Sequence, residues 1–368
     1  MTKIPYKLTD EILNDARKSM YKLVDNLIQV KMEDLETYEF PLDQPFGLEV
    51  IYGDAPFYFI IQFSSKNKNL ICMPPGAFRR DRTSSDGEII EPPHFARWSW
   101  YRFFNESAIT CADPMIFWDD EIKIGWMIGD DKQWYIETLS IIIKKLAKNQ
   151  GIINDNILFF GSSGGGFISV CLATLIRNSK VLVNNSQFSV LNYHKKLVDK
   201  ALEITSYKFD GLNIEELKEK IGYRLNAFEL FEKEDYAPHI TYYVNIKSRT
   251  DVESHSIPLI EEHYKQKQFN GLEIIYYSET KKKPHQPLPT GLTLKIVRSY
   301  MKNNLYNKEH DEEDQIVKLG KNENKLQKRI KKLEDENKLL KKENNEMKTS
   351  HSWRITAPLR KIIGLIKK

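Results

Sequence analysis

The sequence has only three cysteines, no long apolar run and no strong excess of charge. Cys72, Cys111 and Cys171 lie far apart inside apolar segments, which predicts buried free thiols in a reducing compartment and no metal site. No apolar run reaches the ~18 residues that a membrane-spanning helix needs. The first residues lead into charged ones without a signal-peptide core. The net charge of +4 is too small to predict a nucleic-acid partner. We therefore expect a cytoplasmic protein.

The length of 368 residues allows one large domain with appendages. Apolar residues recur at helical spacing over residues 8–36, so we predict a helix there and an N-terminal helical segment at 1–40. The main domain is predicted to occupy 41–305. After residue 305 the composition shifts to Lys, Glu and Asn, which marks a boundary.

Within the main domain, short apolar runs alternate with turn residues and with helical patterns. Helical connections between the later strands imply crossovers and a mostly parallel sheet flanked by helices, an α/β fold. The predicted strands are 48–52, 57–63, 70–73, 108–111, 157–160, 181–183, 241–244 and 272–277, and the predicted helices are 135–146, 167–176 and 288–301.

The most informative motif is Gly161-Ser162-Ser163-Gly164-Gly165, which stands between an apolar strand and an apolar helix. A serine at the apex of such a strand–turn–helix is typical of a nucleophile elbow. A phosphate-binding loop is the alternative, but no Lys-Ser/Thr follows the glycines. The motif predicts Ser163 as a catalytic nucleophile.

A serine nucleophile needs a base and an acid that orients it, and in α/β-hydrolases they follow in the order Ser, Asp or Glu, His. His285 lies in the loop after the last predicted strand, and Asp251 follows the strand before it. We predict the triad Ser163–Asp251–His285. Alternatively, His285 is a plain loop residue and Asp251 a helix cap. His255, four residues after Asp251 on a predicted helix, is the rival histidine and a candidate for binding substrate.

Acyl chemistry also needs hydrogen-bond donors for the oxyanion. The backbone N–H of Gly164, directly after the nucleophile, is one candidate. The loop after the strand 70–73 offers the backbone N–H groups of Gly76 and Ala77 as the other. The two prolines before Gly76 lack an N–H and cannot serve.

Residues 306–348 carry an unbroken heptad pattern with leucine or methionine at d. The d positions are Leu319, Leu326, Leu333, Leu340 and Met347, and the a positions are Ile316, Glu323, Ile330, Asn337 and Asn344. This pattern predicts a parallel two-stranded coiled coil and hence a homodimer, with a single solvated helix as the alternative.

The last segment, 349–368, has five basic residues after Ser352 and no acidic one. With an apolar stripe beside the charges, it predicts a basic amphipathic helix. Such a helix suits an anionic membrane surface at the inner face of the plasma membrane, or a partner protein. A frayed basic tail is the alternative.

Residues 45–300 resemble an α/β-hydrolase, and more narrowly the hydrolase-like proteins and O-acetyltransferases of bacterial capsule and cell-surface glycan clusters. The strings that carry this resemblance are Arg97-Trp98-Ser99-Trp100, Asp113-Pro114, Gly125-Trp126-Met127-Ile128-Gly129, Phe160-Gly161-Ser162-Ser163-Gly164-Gly165-Gly166 and Asn184-Asn185-Ser186-Gln187. The tail 352–360 is similar to a motif that often ends glycosyltransferases and other glycan-assembly proteins.

The resemblance implies a serine-dependent enzyme that removes or adds an O-acetyl group on a surface polysaccharide or its precursor, with glycosyltransferases as partners. No cofactor is required, and acetyl-CoA is the donor if the enzyme is a transferase. The sequence departs from the usual HGG-type oxyanion loop by having Pro-Pro-Gly at 74–76. A non-catalytic scaffold of a glycan-assembly complex and a sugar-phosphate transferase are the alternatives, although the core has no Asp-x-Asp motif for the latter.

Three further side chains are candidates for binding substrate. Trp98 and Trp100, in an aromatic-rich stretch, could stack on sugar rings or simply pack in the core. Arg79, followed by Arg80 and Arg82, could hold a phosphate of CoA or of an anionic glycan, or form a solvated turn.

Overall fold

The computed structural model describes residues 7–78, 91–280 and 283–305. In this part of the chain nine strands form one sheet in the order β1-β2-β3-β5-β4-β6-β7-β8-β9. β3 is antiparallel to both of its neighbours, and the other pairs are parallel. The strands are β1 (Leu27–Gln29), β2 (Phe46–Tyr52), β3 (Ala55–Gln62), β4 (Leu70–Met73), β5 (Ser107–Cys111), β6 (Ile157–Ser163), β7 (Lys180–Ser186), β8 (Ile240–Asn245) and β9 (Leu272–Tyr277).

Helices cover both faces of the sheet. They are α1 (Asp10–Tyr21), α2 (Tyr135–Asn149), α3 (Gly164–Leu175), α4 (Lys195–Tyr207), α5 (Ile214–Leu225), α6 (Ala227–Glu234), α7 (Arg249–Asp251), α8 (Ile257–Lys265) and α9 (Thr290–Asn304), with a π-helix (Val252–Ser256) between α7 and α8. Helices α2 to α6 and α8 pack against one face, and α1 and α9 pack against the other.

The two apolar layers follow from the alternation of side chains along the strands. In β3, Phe57, Phe59 and Ile61 point into one hydrophobic cluster, while Tyr58 and Ile60 point into the other. Because both faces are covered, the central strand β4 is apolar throughout and β6 is apolar over its first four residues, as strands in buried parallel sheets are. This is why the strands are recognisable in the sequence as continuous apolar runs.

The predicted mostly parallel sheet flanked by helices is confirmed. The strands at 70–73 and 272–277 agree with the prediction residue for residue, and the other predicted strands and helices of the main domain differ at their ends by no more than three residues. Differences of three residues occur at the ends of β7, α2 and α9 and at the elbow. There β6 continues through Gly161 to Ser163 because these residues pair with β7.

The predicted helix over residues 8–36 is wrong. The helix α1 ends at Tyr21, and Leu27–Gln29 forms the edge strand β1 beside β2. Gly47 on β2 allows this close packing, because a Cβ there would lie 2.8 Å from the Met20 Cε atom. Pairing with the open edge of β2 therefore overrides the helical spacing of the apolar residues.

An ion pair between the partly exposed Arg17 and the buried Glu49 fixes α1 on the sheet. The guanidinium of Arg17 donates two hydrogen bonds to Glu49 on β2, from Nε at 2.8 Å and from Nη2 at 2.6 Å. The Tyr58 hydroxyl donates to the same carboxylate at 2.9 Å. The buried Glu49 carboxylate is therefore well satisfied, as a charge in a protein interior has to be.

Three sequence predictions lie outside the described residues: the coiled coil at 306–348, the basic tail at 349–368, and the role of Arg79. They remain predictions. In the part of the chain that the structure describes, no helix is long and apolar enough to cross a membrane.

Candidate active site

Ser163 occupies the turn between β6 and α3 with φ 54° and ψ −129°, a backbone conformation that is rare for residues other than glycine. The turn is closed tightly on both sides. A Cβ at Gly161 would lie 2.1 Å from the Gly165 carbonyl oxygen, and a Cβ at Gly164 would lie 2.1 Å from the Ile124 Cδ1 atom. Gly161 therefore has no room for a side chain, and a side chain at position 164 would have to displace Ile124. Such tight packing is the geometry that a nucleophile elbow requires.

The structure brings together the three residues of the predicted triad. The distance from Ser163 Oγ to His285 Nε2 is 2.9 Å, and the distance from His285 Nδ1 to Asp251 Oδ1 is 2.7 Å. Asp251 lies in α7 directly after β8 and is fully buried, while the His285 side chain is 31% exposed. A buried carboxylate, a partly exposed imidazole and a hydroxyl thus form one hydrogen-bonded series at the end of the sheet.

The loop that carries His285 is fastened to the carboxyl ends of β7 and β8. The side-chain amide of Asn185 donates to the carbonyl oxygens of residues 284, 285 and 286 at 3.1–3.3 Å. Asn245 also donates to the carbonyl oxygen of residue 284, at 3.0 Å. Asn184 accepts from the backbone N–H of Leu288 at 2.8 Å. These bonds hold the imidazole over the elbow.

Gln187 contacts Ser163, and the sequence analysis missed this contact. The Trp126 Nε1–H group donates to its Oε1 atom at 2.6 Å. Its Nε2 atom therefore faces Ser163 Oγ, at 3.3 Å. Tyr193 is a second residue of the site that the sequence analysis missed, because its ring lies 5.6 Å from the His285 ring. Burial raises the pKa of Tyr193, which keeps its hydroxyl protonated. Both residues follow β7. In the sequence, only Gln187 belonged to a string that carried the resemblance, and nothing pointed to Tyr193.

Asp113 fixes the loop that contains Trp126. Its carboxylate accepts the backbone N–H groups of Met115, Gly125 and Met127 at 3.0–3.2 Å. Burial raises the pKa of Asp113 to about 6, and these three hydrogen bonds limit the rise. Trp126 and Met127 both have positive φ, so the carboxylate holds the loop in an unfavourable conformation. Asp113 thereby positions the indole that orients Gln187.

The three candidate oxyanion donors lie at the elbow or beside it. Gly164 is the first residue of α3, where a backbone N–H has no partner within the helix. Gly76 lies in the loop after β4, and a Cβ there would be 3.9 Å from the Ser162 carbonyl oxygen. Ala77 follows it. Within the described residues the N–H groups of Gly76 and Ala77 donate no hydrogen bond, so they are available to a ligand.

The structure does not support the predicted contact of His255 with substrate, because the residue is fully buried. It lies in the π-helix after Asp251, and its Nδ1 atom accepts the backbone N–H of Phe188 at 3.3 Å. Burial lowers the pKa of His255 to about 4, and the nearby Asp251 carboxylate only partly offsets this effect. The side chain is a neutral part of the interior beneath the triad.

Trp98 and Trp100 are partly buried and pack at the edge of the hydrophobic cluster that contains α9. Trp100 stacks on Phe160 of β6, with ring centroids 6.2 Å apart. Arg97 lies against both of these rings, and Arg102 lies over Trp98. The two tryptophans therefore have a packing role, and one of them also borders an arginine next to the elbow.

No family model and no curated protein matches this chain. Among solved structures, the capsule O-acetyltransferase of Neisseria meningitidis serogroup A is similar, with a TM-score of 0.51 and 14% identity over 75% of this chain and 99% of that chain. A mutant of that enzyme in complex with CoA gives 0.53 and 12%, covering 73% and 99%. Acetyl xylan esterase 1 of a Thermoanaerobacterium species gives 0.47 and 13%, covering 81% and 93%. The first two similarities show that this chain shares the fold of that enzyme, and the mostly parallel sheet flanked by helices is consistent with an α/β-hydrolase-like fold.

Proposed function

We propose that this chain is a serine-dependent acyl-ester enzyme that removes an O-acetyl group from a bacterial surface polysaccharide or adds one to it. The observation that carries the proposal is the hydrogen-bonded series from Ser163 Oγ through His285 to the buried Asp251, at a tight turn flanked by glycines. A serine, an imidazole and a carboxylate in this order are the parts that acyl transfer through a covalent intermediate requires.

In the first step, Ser163 Oγ attacks the carbonyl carbon of the acyl donor while its proton passes to His285 Nε2. The imidazolium that forms keeps its Nδ1–H group on Asp251, whose negative charge stabilises it. The tetrahedral intermediate then collapses, and the bond to the leaving group breaks. His285 returns the proton to the leaving oxygen or sulfur atom, and the acyl group remains on Ser163.

The negative charge on the carbonyl oxygen in this step needs preorganised donors. The backbone N–H groups of Gly164, Gly76 and Ala77 are our candidates, because they lie at the elbow or in the loop beside it. Gly76 and Ala77 take the place that an HGG-type loop has in many esterases. The preceding prolines make that loop stiff without adding donors.

In the second step, His285 removes a proton from the acceptor, whose oxygen attacks the acyl carbon of the acyl-enzyme. The bond from that carbon to Ser163 Oγ then breaks, and His285 returns the proton to Ser163 Oγ. Water as the acceptor makes the enzyme an esterase, and a sugar hydroxyl makes it a transferase. The similarity of the fold to a capsule O-acetyltransferase, and the complex of that enzyme with CoA, support acetyl-CoA as donor and a glycan as acceptor. Trp98, Trp100 and Arg79 remain our candidates for contacts with the sugar or with CoA.

A serine-reactive fluorophosphonate probe and acetyl transfer assays test the proposal. The wild-type chain should be labelled and should release acetate from O-acetylated polysaccharide or transfer acetyl groups from acetyl-CoA to the deacetylated glycan. Ser163→Ala should lose both, because the nucleophilic hydroxyl is gone. Ser162→Ala, one residue away on the same turn, should still be labelled. A folded wild-type chain that is neither labelled nor active would refute the proposal and favour the non-catalytic scaffold.

A further inference from the structure

Arg97 presents an unusual charge beside the elbow. Its Nη2 atom donates to Ser162 Oγ at 2.8 Å, so the guanidinium reaches the residue directly before the nucleophile. It lies over two aromatic rings, 5.1 Å from the centroid of Trp100 and 4.9 Å from that of Phe160. Its backbone φ angle is 59°, in the left-handed region that residues other than glycine rarely adopt. The fold therefore holds this side chain in a fixed place at some cost.

The positive charge of Arg97 has no carboxylate partner among the described residues. Burial without such a partner lowers the pKa of Arg97 to about 10, which still leaves it charged at neutral pH. Apart from the single bond to Ser162, its N–H groups have no acceptor within the described part of the chain. A partly buried cation without a counter-ion is costly, and proteins keep such groups mainly at functional sites.

The surroundings of this guanidinium favour a negative ligand. The first N–H groups of α3 point out at the same turn, and a helix N-terminus attracts anions. The acid of the triad, Asp251, is fully buried and bonded to His285, so it does not neutralise Arg97. A guanidinium backed by aromatic rings presents its remaining donors as a fork, which fits the oxygens of a phosphate or a carboxylate.

We propose that Arg97 forms an anion subsite next to the nucleophile and binds a phosphate or carboxylate group of the substrate. This inference rests on the proposed acyl-transfer function and narrows its substrate class to charged molecules. Two sources could supply the group: the phosphates of an acyl-CoA donor, or an acidic group on the glycan.

Paired substrates, one with the anionic group and one without it, distinguish these sources. The donor pair is acetyl-CoA and the uncharged thioester S-acetyl-N-acetylcysteamine. There are two glycan pairs. One is an O-acetylated sugar phosphate and the same O-acetylated sugar without the phosphate, and the other is an O-acetylated sugar acid and the corresponding uncharged O-acetylated sugar. For each pair, the ratio of kcat/KM for the anionic over the neutral substrate is measured. In Arg97→Gln the ratio should fall about tenfold or more for the pair whose anion binds Arg97, since a charge-assisted hydrogen bond is lost.

Arg102→Gln is the matched control. Arg102 lies nearby on the chain and also contacts two aromatic rings, Trp98 and Tyr101, but it is exposed and bonds the Tyr101 hydroxyl instead of the elbow. Its ratios should equal those of the wild-type chain. Arg97→Lys keeps the positive charge but loses the paired N–H donors of the guanidinium, so its ratio should lie between those of the wild-type chain and Arg97→Gln. If circular dichroism shows that Arg97→Gln is unfolded, the ratio of Arg97→Lys tests the subsite in its place.

The anion subsite would be overturned if the ratio of kcat/KM for every pair is the same in the wild-type chain and in both Arg97 variants. Activity on the neutral esters would in that case still support the proposed function. If the wild-type chain has no acyl activity at all, the proposed function fails and calorimetry decides the subsite. The anion subsite would then be supported if the wild-type chain binds CoA, the sugar phosphate or the sugar acid and Arg97→Gln does not. It would be refuted if neither protein binds these ligands or if both bind them equally.

Discussion

The buried histidine beneath the triad should make the stability of this protein depend on pH in a way that one substitution can isolate. Burial lowers the pKa of His255 from 6.5 to about 4. Between these two values the unfolded chain binds a proton at this residue and the folded chain does not. Since stability rises with pH wherever the unfolded state binds more protons, His255 removes stability as the pH falls from 6.5 towards 4.

The magnitude follows from the same values. A pKa difference of this size corresponds to about 3 kcal/mol when it is fully developed, and to about 2 kcal/mol between pH 7.5 and pH 5. In His255→Asn the side-chain oxygen can still accept the Phe188 N–H, but the residue no longer titrates. The free energy of unfolding of the wild-type chain minus that of the variant should therefore decrease by about 2 kcal/mol when the pH is lowered from 7.5 to 5.

Urea unfolding followed by tryptophan fluorescence at several pH values between 7.5 and 5 measures this difference. Groups such as Asp113 titrate alike in both chains and cancel. Val252→Ala, an apolar truncation in the same π-helix, is the control, and its difference from the wild-type chain should stay constant with pH. If the difference between the wild-type chain and His255→Asn is also constant, His255 is not a buried neutral residue, and our account of its place beneath Asp251 is wrong.

Four further predictions concern the site and the segment after residue 305. Gln187→Met should lower kcat about tenfold or more because it removes the amide beside Ser163; unchanged acetyl-ester kinetics would argue against this contact. Asp251→Asn should lower kcat on the order of 10³- to 10⁴-fold because the imidazole takes the wrong tautomer; an active variant in the same assay would exclude that role. Gly164→Ala should cost about 1–3 kcal/mol in urea unfolding, since its Cβ would overlap Ile124; equal stability would mean that the turn can relax. Truncation after residue 305 should convert a dimer into a monomer in sedimentation analysis, and an unchanged mass would show that the heptads do not pair the chains.

The sequence predicted the parts of the site that local patterns encode. Ser163 was recognisable because the glycines that its turn requires are adjacent in the chain and stand between two apolar runs. Asp251 and His285, our candidates for the acid and the base, followed from chain order, because they lie after successive strands of the sheet. The apolar runs of the parallel sheet were visible because both faces of the sheet are covered.

Other features depend on residues that are distant in the chain, and no local pattern could predict them. The helix α1 ends early because β1 pairs with β2, across a close contact that Gly47 permits. His255 was expected at the surface of the site because it lies one helical turn from Asp251. The four-residue spacing shows that His255 and Asp251 lie on the same face of a helix, but it does not show whether that face is buried or exposed to solvent. The contact between Trp126 and Gln187 joins residues 61 positions apart.

The hydrogen bond between Trp126 and Gln187 also determines which groups donate and which accept in the hydrogen bonds around Ser163. Because Trp126 Nε1–H can only donate, the oxygen of Gln187 must accept, and its amide nitrogen faces Ser163. The amide therefore donates to Ser163 Oγ, which leaves the hydroxyl proton free to point to His285 Nε2 at 2.9 Å. Since Nε2 accepts, Nδ1 carries the proton of the neutral imidazole and donates it to Asp251 at 2.7 Å. The tautomer that a general base requires is thus fixed from both ends: by the buried carboxylate on one side, and on the other by an indole that Asp113 holds in place.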